Sequence, residues 1–134
     1  MILIICIDDN GGMMFNKRRQ SQDKILTKKI TELAAGRKIW MSNYSKALFE
    51  QYNADINIDD NFLSKAADGE FCFAEHSCLE QYRQKTEKLI VFKWNRSYPA
   101  DVYLDIDLSD FTLESSVDFE GSSHNKITME VYKS

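Results

Sequence analysis

Four patches of the chain carry side chains that could do chemistry. Cys72, His76 and Cys78 stand four and two residues apart, a spacing open to a metal ion. A closed zinc site needs a fourth ligand and usually a second paired motif, so no metal is expected. Cys78 beside His76 is a nucleophile and base without an evident orienting Asn or Asp. With only His76 and His124 in the chain, the multi-histidine clusters of binuclear metal hydrolases cannot be assembled. Asp8 and Asp9 are adjacent, and neighbours on a strand point to opposite faces, so they read as a strand terminus. Lys17-Arg18-Arg19 is a basic run that can draw an anionic ligand or touch RNA; the same run is also the pattern of a solvated loop. Trp40 and Trp94 lie in apolar strand contexts and read as core packing rather than base-stacking platforms.

The elements that must position these residues follow from periodicity. Ile2 to Ile7 is a continuous apolar, β-branched run, expected of a strand covered on both faces of a largely parallel sheet. It stops at Asp8-Asp9-Asn10-Gly11-Gly12, which puts a loop at the carboxyl end of a central strand, where ligands of open α/β sheets bind. The loop runs on through Met13 to Gln22 without clear period. From Asp23, Ile25, Leu26, Ile30, Leu33 and Ala34 recur at helical spacing, with Gly36 as the expected cap. Lys38 to Met41 predicts a short strand, followed by Ser42 and Asn43 as N-caps of a second helix carrying Ala47, Leu48 and Tyr52. A third helix is expected from Asp59 or Asp60 over Phe62, Leu63 and Ala66; Ile56 and Ile58 are too few for a strand. Glu70 to Ala74 predicts a strand, His76 to Gln84 a crossing helix, and Leu89 to Trp94 another strand. Beyond Pro99 the chain turns all-β, with Val102, Leu104 and Ile106 alternating. Phe111 to Phe119 and Ile127 to Val131 then form a hairpin about Gly121-Ser122-Ser123-His124-Asn125.

The chain has 134 residues, 43% hydrophobic, with one proline, which suits one domain over 1–134 with a single sizeable core. Three cysteines without framework spacing fit a reduced, cytoplasmic protein. The N-terminal MILIICIDDN lacks a basic region and meets acid after seven apolar residues, so it reads as neither signal peptide nor membrane span. The formal net charge is -4. Residues 1–50 carry nine Lys/Arg against five Asp/Glu, and residues 51–134 eight against sixteen. That polarity favours an anionic ligand near the N-terminal half and falls short of a nucleic-acid-binding balance.

Several stretches, covering nearly the whole chain, resemble dihydrofolate reductases. MILIICIDDNGGMMFN is similar to the family's first strand and the start of its mobile substrate loop. AAGRKIWMSNYSKALF resembles its second strand and cofactor helix, and EFCFAEHSCLEQY its strand-Gly-Gly-helix segment. YPADVYLDIDLSDFTLESSVDFEGSSHNKITMEVYKS resembles the closing strands, with DLSDFTL and ITMEVY the nearest local matches. The region between Asn53 and Phe71 is compressed by comparison. The resemblance implies an α/β three-layer sandwich: a mixed, mostly parallel sheet with flanking helices and a C-terminal antiparallel hairpin.

It also implies what a working site would need: a carboxyl group reaching a pterin to supply a proton, helix N-termini holding dinucleotide phosphates, and a nicotinamide laid against the pterin out of water. Asp23 aligns with the carboxyl, across a deletion in which Arg18-Arg19-Gln20-Ser21 replaces the family's Leu-Pro-Trp. Asp23 reads first as a helix N-cap or first-turn acid, a position that aspartate strongly favours. The family's paired glycines fall on Ala74 and Glu75, whose Cβ atoms obstruct backbone approach and whose added carboxylate opposes a pyrophosphate. The family uses a non-proline cis bond there, which costs ~3 kcal/mol. Ser42, Asn43 and Ser45 stand at the cofactor helix, where either phosphate binding or capping accounts for them. Asp9, Asn10, Lys17, Arg18 and Arg19 form the loop beside the expected cleft. The expectation is a dihydrofolate-reductase-like domain without the orthodox cofactor grip, binding a small heterocyclic or anionic ligand. An NADPH-dependent reductase using Asp23 is the alternative, and a nucleic-acid contact through the basic loop is the third.

Overall fold

The computed structural model describes residues 1–75 and 78–134. In chain order the strands and helices are β1 (Ile2–Ile7), β2 (Gly12–Phe15), β3 (Arg18–Arg19), α1 (Lys24–Ala34), β4 (Lys38–Met41), β5 (Asp55–Ile58), α2 (Phe62–Lys65), β6 (Phe71–Phe73), β7 (Lys88–Lys93), β8 (Val102–Tyr103), β9 (Thr112–Phe119) and β10 (Ile127–Lys133). Three 3-10 segments, Asn43–Leu48, Glu80–Lys85 and Leu108–Asp110, connect them.

Seven strands form one sheet in the order β5-β4-β6-β1-β7-β10-β9. The first five pair in parallel. β10 joins antiparallel to β7 and β9 antiparallel to β10. This is the mixed, mostly parallel α/β sheet with an antiparallel C-terminal hairpin that the sequence leads one to expect. The unbroken apolar run of β1 is explained by its central place, which buries both faces.

Alternation along β1 divides the core in two. Leu3, Ile5 and Ile7 pack with Met13, Met14, Phe62, Leu63, Leu79 and Ile106 on one face. Ile2 and Ile4 pack with Leu26, Ile30, Phe49, Phe73, Phe92 and Trp94 on the other. α1 buries Leu26, Thr27, Ile30 and Ala34 against that second face. Full burial of Leu26 and Ile30 contributes about 1.5–3 kcal/mol each, and Leu26→Ala would cost about 2–5 kcal/mol, the lost burial plus the cavity left beside the cleft.

Several expectations need correction. Asp55–Ile58 is a strand after all, because β4 offers a parallel edge on which four residues suffice. The segment expected as an aperiodic loop folds into a β2–β3 hairpin turning on Asn16 and Lys17, with φ of 52° and 62°. β2 also pairs with β8, giving a second, three-stranded sheet. The helix expected after Ser42 is a 3-10 segment, and the third helix is a single turn starting at Phe62. The helix expected over His76 to Gln84 begins partly outside the described residues; its described portion is the 3-10 segment from Glu80. Ala35 shares the C-terminal turn of α1 with Gly36, at φ of 49° and 83°. β9 is an edge strand whose Leu113 and Val117 are exposed, while Phe119 packs against the core. Among the described residues no helix is long and apolar enough to cross a membrane.

Candidate functional site

A cleft lies between the chain leaving β1 and the carboxyl ends of the parallel strands. Its walls are Cys6, Leu26, Phe73, Ala74 and Trp94, with Arg19 to Asp23 across its mouth. The space left is about 20 Å³, enough for roughly one water. It adjoins an open groove of about 470 Å³ that shares Gln22, Asp23, Thr27 and Leu48 and continues along Ala47, Gln51, Ser122 and Ser123.

Asp23 ends the loop and starts α1 as its N-cap, its side chain accepting from the N–H groups of Ile25 at 3.0 Å and Leu26 at 3.3 Å. The same carboxylate accepts from the backbone N–H of Ser122 at 3.0 Å and of Ser123 at 2.9 Å, and from His124 Nδ1 at 2.9 Å. Helix and hairpin thus fill the lone-pair positions of one carboxylate. Burial pushes its pKa up, but the N–H groups of Ser123 and Ser122, then His124 and Leu26, outweigh it and hold the carboxyl well below its usual range. An ionised carboxylate only accepts, so Nδ1 of His124 carries a proton, and in the neutral imidazole Nε2 is then the acceptor. Ser21 Oγ lies 2.9 Å from that nitrogen and Tyr98 Oη 3.3 Å. Trp94 stacks on the imidazole at 4.7 Å between ring centroids.

Gly121 makes this convergence possible. A Cβ there would lie 2.3 Å from Asp23 Oδ2, inside any allowed contact.

At the other end of the cleft Glu75 is paired rather than exposed. Arg19 Nε and Nη2 donate to its two oxygens at 2.7 and 2.9 Å, the bidentate geometry that arginine favours. Ser45 Oγ donates to Glu75 Oε1 at 2.7 Å. Arg19 also lies over the Tyr44 ring at 4.5 Å, and its backbone N–H donates to the Tyr44 hydroxyl at 3.0 Å. The second residue of β3 thereby latches the hairpin to β6 and the 3-10 segment.

The other candidates separate from this centre. Ser42 is buried at the start of the 3-10 segment without a side-chain capping bond, and Asn43 is exposed, its N–H donating to Asp60. Asp9, Asn10, Lys17 and Arg18 are exposed. The peptide bonds between described residues are all trans, the one joining Ala74 to Glu75 included. His76 lies outside the described residues, and with it the Cys72, His76, Cys78 spacing.

Sequence reasoning missed two residues. Asp8 is buried and accepts from Asn10 N, Gly12 N, Tyr98 N and Gln20 Nε2; burial raises its pKa, but these donors prevail and lower it. The Gly-Gly turn following an aspartate was the available signal. His124, read only as a hairpin residue, had no local signal at all.

Solved structures share this architecture. That of dihydrofolate reductase from Enterococcus faecalis, complexed with NADP(H) and RAB-propyl, matches with a TM-score of 0.68 over 98% of this chain and 94% of that one, at 11% identity. The likeness is one of fold. No protein-family model matches the chain, and no curated protein matches it in sequence.

Proposed function

We propose that the protein is a ligand-binding module on a dihydrofolate-reductase-like fold, taking a small anionic or heterocyclic molecule at the cleft without orthodox folate reduction. The observation that carries this reading is that both acids at the cleft are spent on the protein itself. Asp23 is held by α1 and the β9–β10 turn. Glu75 is held by Arg19 and Ser45. A carboxylate so engaged is a poor proton relay, because protonating it forfeits several charge-assisted hydrogen bonds at once.

A ligand still has points of attachment. Gln20 lines the cleft, and its amide nitrogen is committed to Asp8 Oδ2 and the Pro99 carbonyl. Its oxygen is left buried with no partner among the described residues, an acceptor for an N–H of a heterocycle. Arg19 supplies the cation for an anionic ligand that exchanges with Glu75. Exchange also widens the cleft, because the latch fills it.

The solved neighbour holding NADP(H) favours a second reading, an NADPH-dependent reductase of a pterin or related heterocycle with a differently held cofactor. Thermal melting with pterins, purine nucleotides and pyrophosphate tests the pair. The first reading expects a melting temperature that rises with concentration of one of them by mass action, with no oxidation of NADPH. Absence of any shift across the panel, or dihydrofolate-dependent oxidation of NADPH, would overturn it.

A further inference from the structure

Ser21 and Asp23 line the cleft, and with the buried His124 between them they stand in the order and spacing of an activated hydroxyl. Ser21 Oγ is 2.9 Å from His124 Nε2, and His124 Nδ1 is 2.9 Å from Asp23 Oδ2. We infer that Ser21 is a nucleophile, with His124 as its base and Asp23 as the positioning residue, able to accept an acyl group from a small activated ester.

The geometry meets the requirements of such a relay. Asp23, kept ionised by its donors, fixes a proton on Nδ1, so that the lone pair of the neutral imidazole lies on Nε2, facing Ser21. Trp94 stacked on the ring and the buried setting of His124 hold the imidazole in plane. Asp23 and His124 rest on different elements, α1 and the β9–β10 turn, bound together by Ser122 and Ser123. The relay is therefore part of the rigid frame. Ser21, partly exposed at the mouth of the cleft, is its accessible end.

The reaction needs only an ester and water. As the Oγ–C bond forms, the Ser21 proton passes to Nε2. The C–O bond to the leaving group then breaks, and the alcohol departs with that proton. Water repeats the sequence on the acyl-serine, releasing the acid and restoring the hydroxyl. The first N–H groups of α1 are already taken by Asp23 and by Ser122 Oγ, so they do not serve the developing oxyanion; Arg19, which lines the same cleft, serves it only on giving up its pairing with Glu75. A site of this kind accepts good leaving groups and leaves amides intact. The space between Cys6, Leu26 and Phe73 is about 20 Å³, so a short acyl chain enters only when the Arg19–Glu75 latch opens.

The test uses an alkyl fluorophosphonate and 4-nitrophenyl acetate on the intact chain. The expected result is one phosphonyl adduct mapped to Ser21, and a burst of one equivalent of nitrophenolate that Ser21→Ala abolishes. Asp23→Asn should leave the burst amplitude and slow its rate constant by about a hundredfold; a merely unfolded fraction would lower the amplitude instead. No adduct on the folded wild type, an adduct on another residue, or a burst that survives in Ser21→Ala would overturn the inference. None of these outcomes depends on whether the cleft binds a pterin, a nucleotide or pyrophosphate.

Discussion

Asp23 and His124, 101 residues apart in sequence, meet at 2.9 Å and join the start of α1 to the turn between β9 and β10. Through this pair one carboxylate caps the helix, closes the hairpin and sets the imidazole tautomer. Asp23→Ala removes a cap and leaves buried donors unpaired, so a loss of about 2–4 kcal/mol is expected. Asp23→Asn keeps an acceptor oxygen and should cost less. Urea denaturation midpoints of the two variants check the order.

The same carboxylate gives stability an acid limb. Its folded pKa is depressed, so its contribution is complete above the ordinary aspartate value of about 4 and is lost as pH falls through the folded value. Asp8, also lowered, adds to the slope in the same window. Urea midpoints measured downward from pH 6 should fall steeply below about pH 4, and Asp23→Asn should flatten part of that fall. An unchanged slope in the variant would contradict the assignment.

Gly121→Ala places a methyl on the Asp23 carboxylate. The hairpin or the cap must shift, at about 1–3 kcal/mol, and His124 loses its alignment with Ser21. The alanine variant should melt lower, while alanine at exposed Ser122 should cost less.

Arg19 and Glu75 are not symmetric. Glu75 is the more buried partner, at 8% side-chain exposure against 21% for Arg19, so stranding it is the worse outcome. Arg19→Met should cost about 2–4 kcal/mol and Glu75→Gln about 1–2 kcal/mol. Glu75→Gln should also raise affinity for pyrophosphate, read by calorimetry, by freeing the guanidinium.

Residue patterns showed most of the sheet and less of the site, for physical reasons. β1 is legible because burial on both faces demands an unbroken apolar run, and β10 because Ile127 and Met129 alternate toward a core. The β2–β3 hairpin is not, since Asn16-Lys17 enters the left-handed region without the glycine that announces such turns. Glu75 alone reads as a repelling charge; Arg19, 56 residues away, turns it into half of an ion pair. Asp23 as a cap is local and was visible, whereas its bond to His124 is a product of the closed sheet.

The most direct measurement is titration of the protein with NADPH, followed by fluorescence, with dihydrofolate then added and NADPH absorbance recorded. The account expects no saturable binding below about 1 mM and no substrate-dependent loss of absorbance. Saturable quenching well below that concentration, followed by steady oxidation on adding dihydrofolate, would show that Asp23 and Glu75 are not the committed groups described above.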